Sequence, residues 1–174
     1  AAFTFRCSST DPRELTFVQM TPGPTSSLTP YRAEVAGIFG IASFLKRLID
    51  QYSDVRGKIT VACDCKGALD RAFSNHPPVP KNPDFDLLME IYHLRRNTPI
   101  AWAKHWVKGH QDSRSVMQDL DHWALLNIEM DALAKQHWTR LHTHRPRPFS
   151  LPASSGVWSL WHSNQRLTSW TKQV

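Results

Sequence analysis

The chain has 174 residues, 41% hydrophobic and 21% charged, which suits one globular domain with a modest appendage and excludes an array of repeat domains or wholesale disorder. Lys and Arg number 21 against 15 Asp and Glu, a net charge of +6 that favours a polyanionic partner, nucleic acid first. The longest uncharged apolar stretch, Val35 to Leu45, falls short of the roughly 18–20 residues that cross a bilayer, so no membrane partner is expected. Three cysteines, Cys7, Cys63 and Cys65, do not make a secreted disulfide framework and point to an intracellular, cytoplasmic or nuclear, protein.

The chain opens within an apolar run, Ala1 to Ser8, as though cut from a longer protein. A second run, Glu14 to Met20, follows the turn formers Ser9, Asp11 and Pro12; a hairpin is expected. Thr29 is placed to cap a helix that has Pro30 at its first position and runs to about Tyr52. Its buried stripe is Val35, Ile38, Phe39, Ala42, Leu45 and Ile49. Lys58 to Asp64 reads as a central strand, apolar on both faces, and a short helix, about Lys66 to Phe73, follows. Pro77, Pro78 and Pro80 enforce a loop, after which Asn82 and Pro83 open a helix to about Arg96. Ile100 to Val107 reads as a strand, and Leu120 to about Leu141 as a long helix carrying Trp123, Ile128, Leu133 and Trp138. Strands that precede and then alternate with helices imply an α/β fold. The domain is expected to span residues 1–142. A proline-rich linker (143–156) and a tryptophan-containing tail (157–174) able to form a hairpin follow. There is no internal repeat.

Three carboxylates stand in unusual places. Glu34 lies four residues before Ile38 and so shares the apolar face of its helix; it is either a paired or metal-bound group or a solvated carboxylate favoured by the helix dipole. Asp64 ends the strongest strand, where open α/β sheets collect ligands, or else caps the next helix. Asp131 falls on the stripe of Ile128, Ala134 and Trp138, where aspartate has poor helix propensity. Together they would form a hard-oxygen site for Mg²⁺, or Mn²⁺ in its place. Two such ions about 3.5–4 Å apart activate water and stabilise the leaving oxygen of a phosphodiester. His110, in a polar loop after the last strand, is either a proton shuttle or a solvent-exposed side chain.

In order and spacing these residues resemble the ribonuclease H domains carried by retroelement reverse transcriptases. "YRAE", ending in Glu34, resembles the family's first-helix glutamate, and "ACDCKGAL", with Asp64, its fourth-strand aspartate. "WVKGHQ" supplies the loop histidine as His110, and "NIEMDALAK" the final aspartate as Asp131. The resemblance covers about Ala1 to Leu141. It implies a mixed sheet with helices on both faces, and Mg²⁺-dependent hydrolysis of the RNA strand of RNA–DNA hybrids, with Glu34, Asp64 and Asp131 holding metal and His110 assisting. A reverse transcriptase domain is expected upstream. Family members carry a further aspartate, within an Asp-Gly-Ser turn, on an opening strand that forms the middle of the sheet; nothing here matches it, so the fold is expected to lack its first, central strand. A non-cleaving nucleic-acid-binding or scaffold module of the same fold, and a DNA-cutting relative, are the alternatives.

Lys66, two residues after Asp64, matches a position that contacts the RNA strand in the family, and Arg32, Lys104, Lys108 and Arg114 extend a possible basic track. Cys63 and Cys65 with His105, His110, His122 and His137 lack the spacing of a structural zinc site, and Cys63 alternates with Ile59 and Val61 as a core residue would. No Gly-rich phosphate loop and no nucleophile elbow is present.

Overall fold

A computed structural model of the chain describes residues 1–6, 14–23, 27–109, 111, 119–143, 160–162 and 165–167. The described chain is a mixed α/β structure. Strand β1 (Ala2–Arg6) pairs antiparallel with β2 (Glu14–Val18), and strand β3 (Gly57–Cys63) pairs parallel with β4 (Ile100–Trp106). Helices α1 (Pro30–Gln51), α2 (Lys66–Ala72), α3 (Phe85–Arg96) and α4 (His122–Thr143) pack around these pairs. A last antiparallel pair, β5 (Leu160–His162) with β6 (Gln165–Leu167), matches Leu160 with Leu167. The linker expected before it lies outside the described residues from 144 onward.

The single mixed sheet expected from the sequence is instead divided. Among the described residues no strand hydrogen-bonds both β1 and β3, so the two pairs form separate two-stranded sheets. The division changes β3 as well. Only Val61 and Cys63 are buried in it, while Lys58 and Thr60 are exposed, so the strand is covered on one face rather than on two. Period-two alternation turns the odd positions toward the helices and leaves the even ones open.

Helix α1 organises the core. Thr29 caps it as expected, its hydroxyl accepting from the Arg32 N–H at 3.0 Å, with Pro30 at the first turn. Val35, Ala36, Ile38 and Phe39 of α1 join Val61 and Cys63 of β3, Ala68, Leu69 and Ala72 of α2, and Leu87, Leu88 and Ile91 of α3 in one buried cluster. On its other flank α1 meets β1 and β2 through tilted ring contacts: Phe44 lies 4.9 Å from Phe5 and 4.7 Å from Phe17, while within the strand pair Phe3 stacks on Phe17 at 5.2 Å. The Phe3 ring packs so closely on the α1 backbone that a Cβ on Gly40 would lie 2.5 Å from it. Helix α4 covers the same strands and is tied to β1 by an ion pair between Arg6 and Glu129 at 3.2 Å. Arg6 alternates with Phe3 and Phe5, so the β1–β2 pair carries a helix on each face.

Two sequence expectations shift here. Helix α3 begins at Phe85, two positions after Pro83, because Asp84 takes a left-handed conformation (φ 58°) with its carboxylate 2.7 Å from Arg32. Helix α4 buries only Ala124 among its described side chains; Trp123, Ile128 and Leu133 are half-buried and Trp138 is 61% exposed. The apolar stripe assigned to α4 is therefore a shallow contact rather than a core face.

Candidate metal centre

Glu34 sits on the second turn of α1, beyond the reach of the first-turn amides, and it is half-buried. The solvated first-turn role is thus not the one it plays. Its carboxylate reaches the end of β3, where the Cys63 thiol donates to Glu34 Oε2 at 3.3 Å. Asp64 follows Cys63, and one ligand atom from each of Glu34, Cys63 and Asp64 falls within 4.8 Å of the others. The cap of α2 is Cys65, not Asp64, which removes the capping role for Asp64 and leaves its carboxylate facing this cluster.

Asp64 is held on several sides. The Asn127 side-chain amide on α4 donates to Asp64 Oδ2 at 3.4 Å, and the Trp106 indole N–H, at the end of β4, donates to the Asp64 carbonyl at 2.9 Å. Gly109 completes the wall: a Cβ there would lie 2.8 Å from Asp64 Oδ2, so a side chain at this position would have to push the carboxylate or the backbone aside. The parallel pairing of β3 with β4, extended by Val107 N–H donating to the Cys63 carbonyl at 3.1 Å, sets this register.

The electrostatics follow from burial and like charge. Burial is the main force lifting the Glu34 carboxyl above its ordinary 4.5; the hydrogen bond from Cys63 and the Ala1 amino group oppose it, while the negative charges of Asp64 and Asp131 add to it. The Cys63 thiol is pushed far up from 9.0, first by burial and then by the neighbouring Glu34 charge, so without a cation it stays protonated.

Of the residues anticipated as ligands, Glu34 and Asp64 are brought together. Asp131 is half-buried on α4 and its charge is felt at Glu34, yet it is not part of the tight cluster. Cys63, 7% exposed, is both the core residue its alternation implied and a member of the cluster. Asn127 joins the site without a motif of its own to mark it, although it stands one helical turn before Asp131 in the "NIEMDALAK" segment and so on the same side of α4. His110 and Arg114 lie outside the described residues. Lys66 and Lys108 are exposed.

Arg32 is the correction among the basic residues. It is 4% exposed, and its guanidinium donates to Asp84 at 2.7 Å, to both oxygens of Asp86 at 2.9 and 2.6 Å, and to the Pro22 carbonyl at 2.7 Å. Burial alone would lower its pKa, but the hydrogen bonds and charges of Asp86 and Asp84 outweigh that and hold it above its ordinary value. A guanidinium with four of its five N–H donors so occupied, and 4% exposed, ties α1 to the start of α3 and is not presented to a phosphate. Lys104 pairs with Asp70 at the surface.

The donor set fits a divalent cation: two carboxylates supply hard oxygens suited to Mg²⁺ or Mn²⁺, and the adjacent sulfur is soft. No protein-family model, no curated protein and no solved structure matches the chain. Among the described residues no helix is long and apolar enough to cross a membrane.

Proposed function

We propose that the chain is a ribonuclease H-type domain of a retroelement reverse transcriptase, whose chemistry is Mg²⁺-dependent hydrolysis of the RNA strand of an RNA–DNA hybrid. The observation that carries the reading is the convergence of Glu34 and Asp64, 30 positions apart in sequence, within 4.8 Å at the carboxyl end of β3. The order of motifs quoted above supports it. So does the division of the strands between β1 and β3, since the resemblance places the unmatched opening strand at the middle of the sheet.

Glu34 and Asp64 would hold the cation, with Asp131 adding negative charge from α4. When bound, the cation supplies an activated water and charge stabilisation at a phosphodiester. The chain's own groups do the positioning. Asn127 fixes one oxygen of Asp64, Gly109 leaves that oxygen room, and the exposed ammonium groups of Lys66 and Lys108 stand ready for phosphates of the hybrid. His110 carries a proton-transfer or release role by resemblance alone.

The test is incubation of the chain with an end-labelled RNA–DNA hybrid and Mg²⁺, beside duplex DNA of the same sequence. Cleavage of the RNA strand alone, reduced by orders of magnitude in Asp64→Asn, supports the proposal. Hybrid binding without cleavage means a non-cleaving module, an outcome made concrete by the position of Asp131 outside the cluster. Cleavage of duplex DNA means a DNA-cutting enzyme.

A further inference from the structure

We infer that Cys63, Glu34 and Asp64 together form a binding site for one thiophilic divalent cation of the zinc and cadmium class, a use of the site that the hydrolysis reading does not assign. It rests on the same meeting of carboxylates as that reading but takes sulfur as a third ligand and requires no hydrolysis.

The geometry is close to what such an ion needs. With bonds of about 2.3 Å to sulfur and about 2.1 Å to oxygen, neighbouring donors of a tetrahedral ion stand about 3.6 Å apart. Cys63 Sγ and Glu34 Oε2 are 3.3 Å apart, and the remaining separations, at most 4.8 Å, close by roughly an ångström through side-chain rotation. Three protein donors with a fourth position left open is the arrangement of catalytic rather than structural zinc. The Cys-x-Cys spacing that argued against a structural zinc pair is therefore no obstacle, because Cys65 is not needed as a ligand.

Groups outside the three donors support each of them. The Cys65 backbone N–H donates to Cys63 Sγ at 3.3 Å, a bond that gains strength when the sulfur carries negative charge. Asn127 donates to Asp64, so the outer contacts that orient metal ligands are already in place. On binding, the cation takes the sulfur lone pair, the S–H bond breaks heterolytically and the proton leaves to solvent. A thiolate among the donors then selects zinc or cadmium over magnesium by softness, beyond the general preference of such sites for later metals. A cation bound this way occupies the carboxylates and blocks Mg²⁺.

The experiment uses the full chain with Cys7→Ser and Cys65→Ser combined, leaving Cys63 as its one thiol. Cadmium chloride is titrated in while the ultraviolet thiolate-to-cadmium charge-transfer band is followed. The expected result is a band saturating at one ion per chain, with affinity at least about tenfold weaker in Glu34→Gln and in Asp64→Asn. No band, or a band of equal affinity in both carboxylate variants, overturns the inference. Cleavage of hybrid by the same protein with Mg²⁺ is scored separately: cleavage without the band sinks only this inference, and the band without cleavage sinks only the hydrolysis reading.

Discussion

Gly109 faces Asp64 so closely that a methyl group on its α-carbon would lie 2.8 Å from Asp64 Oδ2. Gly109→Ala must therefore displace either the carboxylate or the backbone after β4. Misplacing a reacting constellation by about 1 Å costs on the order of 10²-fold in rate. The expected outcome is a fall of that size in hybrid cleavage, with a far smaller change in urea midpoint than a core truncation gives. Cleavage at the parent rate would show that the Asp64 carboxylate is free to work from elsewhere.

Glu34 makes stability depend on pH in a definite sense. Burial first, then the charges of Asp64 and Asp131, raises its folded pKa above 4.5, so the folded chain holds a proton that the unfolded chain has released. Its contribution is most favourable below pH 4.5 and is lost as pH rises through the raised value. Glu34→Gln removes that loss: it should stabilise the chain by about 1 kcal/mol at neutral pH, as replacements at strained functional sites do, with the gain vanishing in acid. Saturating Mn²⁺ should reverse the order by stabilising the parent alone, by about 2.7 kcal/mol at a hundred times its dissociation constant. Thermal melts across pH, with and without Mn²⁺, measure both.

Local chemistry made much of this legible. Thr29 and Pro30 announce α1 because a cap and a proline act within four residues, and the β-branched run before Asp64 announces β3. The pairing of Glu34 with Asp64 was approachable because each carboxylate sat where a ligand role competed with an ordinary one, the helix dipole for Glu34 and a helix cap for Asp64. The partners that sequence did not reveal are those set by tertiary register: Asn127 reaches Asp64 only because α4 crosses the end of β3, and Gly109 matters only because β4 delivers it beside Asp64. Arg32 misled for the same reason, since a basic residue beside a candidate ligand looks like a phosphate contact until Asp84 and Asp86 arrive from 52 and 54 positions away. The stripe on α4 misled differently: apolar spacing marks a face but not how deeply that face is covered, and Trp138 is left exposed.

Arg32 should then behave as a structural residue. Arg32→Ala leaves Asp84, 10% exposed, without its counter-charge, and breaking a buried pair from one side costs roughly 3–5 kcal/mol. Urea denaturation should show that loss. Arg32→Lys should recover only part of it, because an ammonium cannot make the two parallel bonds to Asp86. A loss below about 1 kcal/mol in Arg32→Ala would mean the network contributes little to holding α1 against α3.

Lys66 and Lys108 should separate from Arg32 in hybrid binding. Both are exposed and flank Asp64, Lys66 two residues along the chain and Lys108 beside the Gly109 that touches its carboxylate. Ion release from the nucleic acid makes log K fall linearly with log salt, by nearly one unit of slope for each phosphate neutralised. Lys66→Ala and Lys108→Ala should each lower that slope by about one and weaken binding across hybrid sequences alike. Fluorescence anisotropy of a labelled hybrid over a salt series reads this directly, and slopes unchanged in both variants would remove the two lysines from the interface.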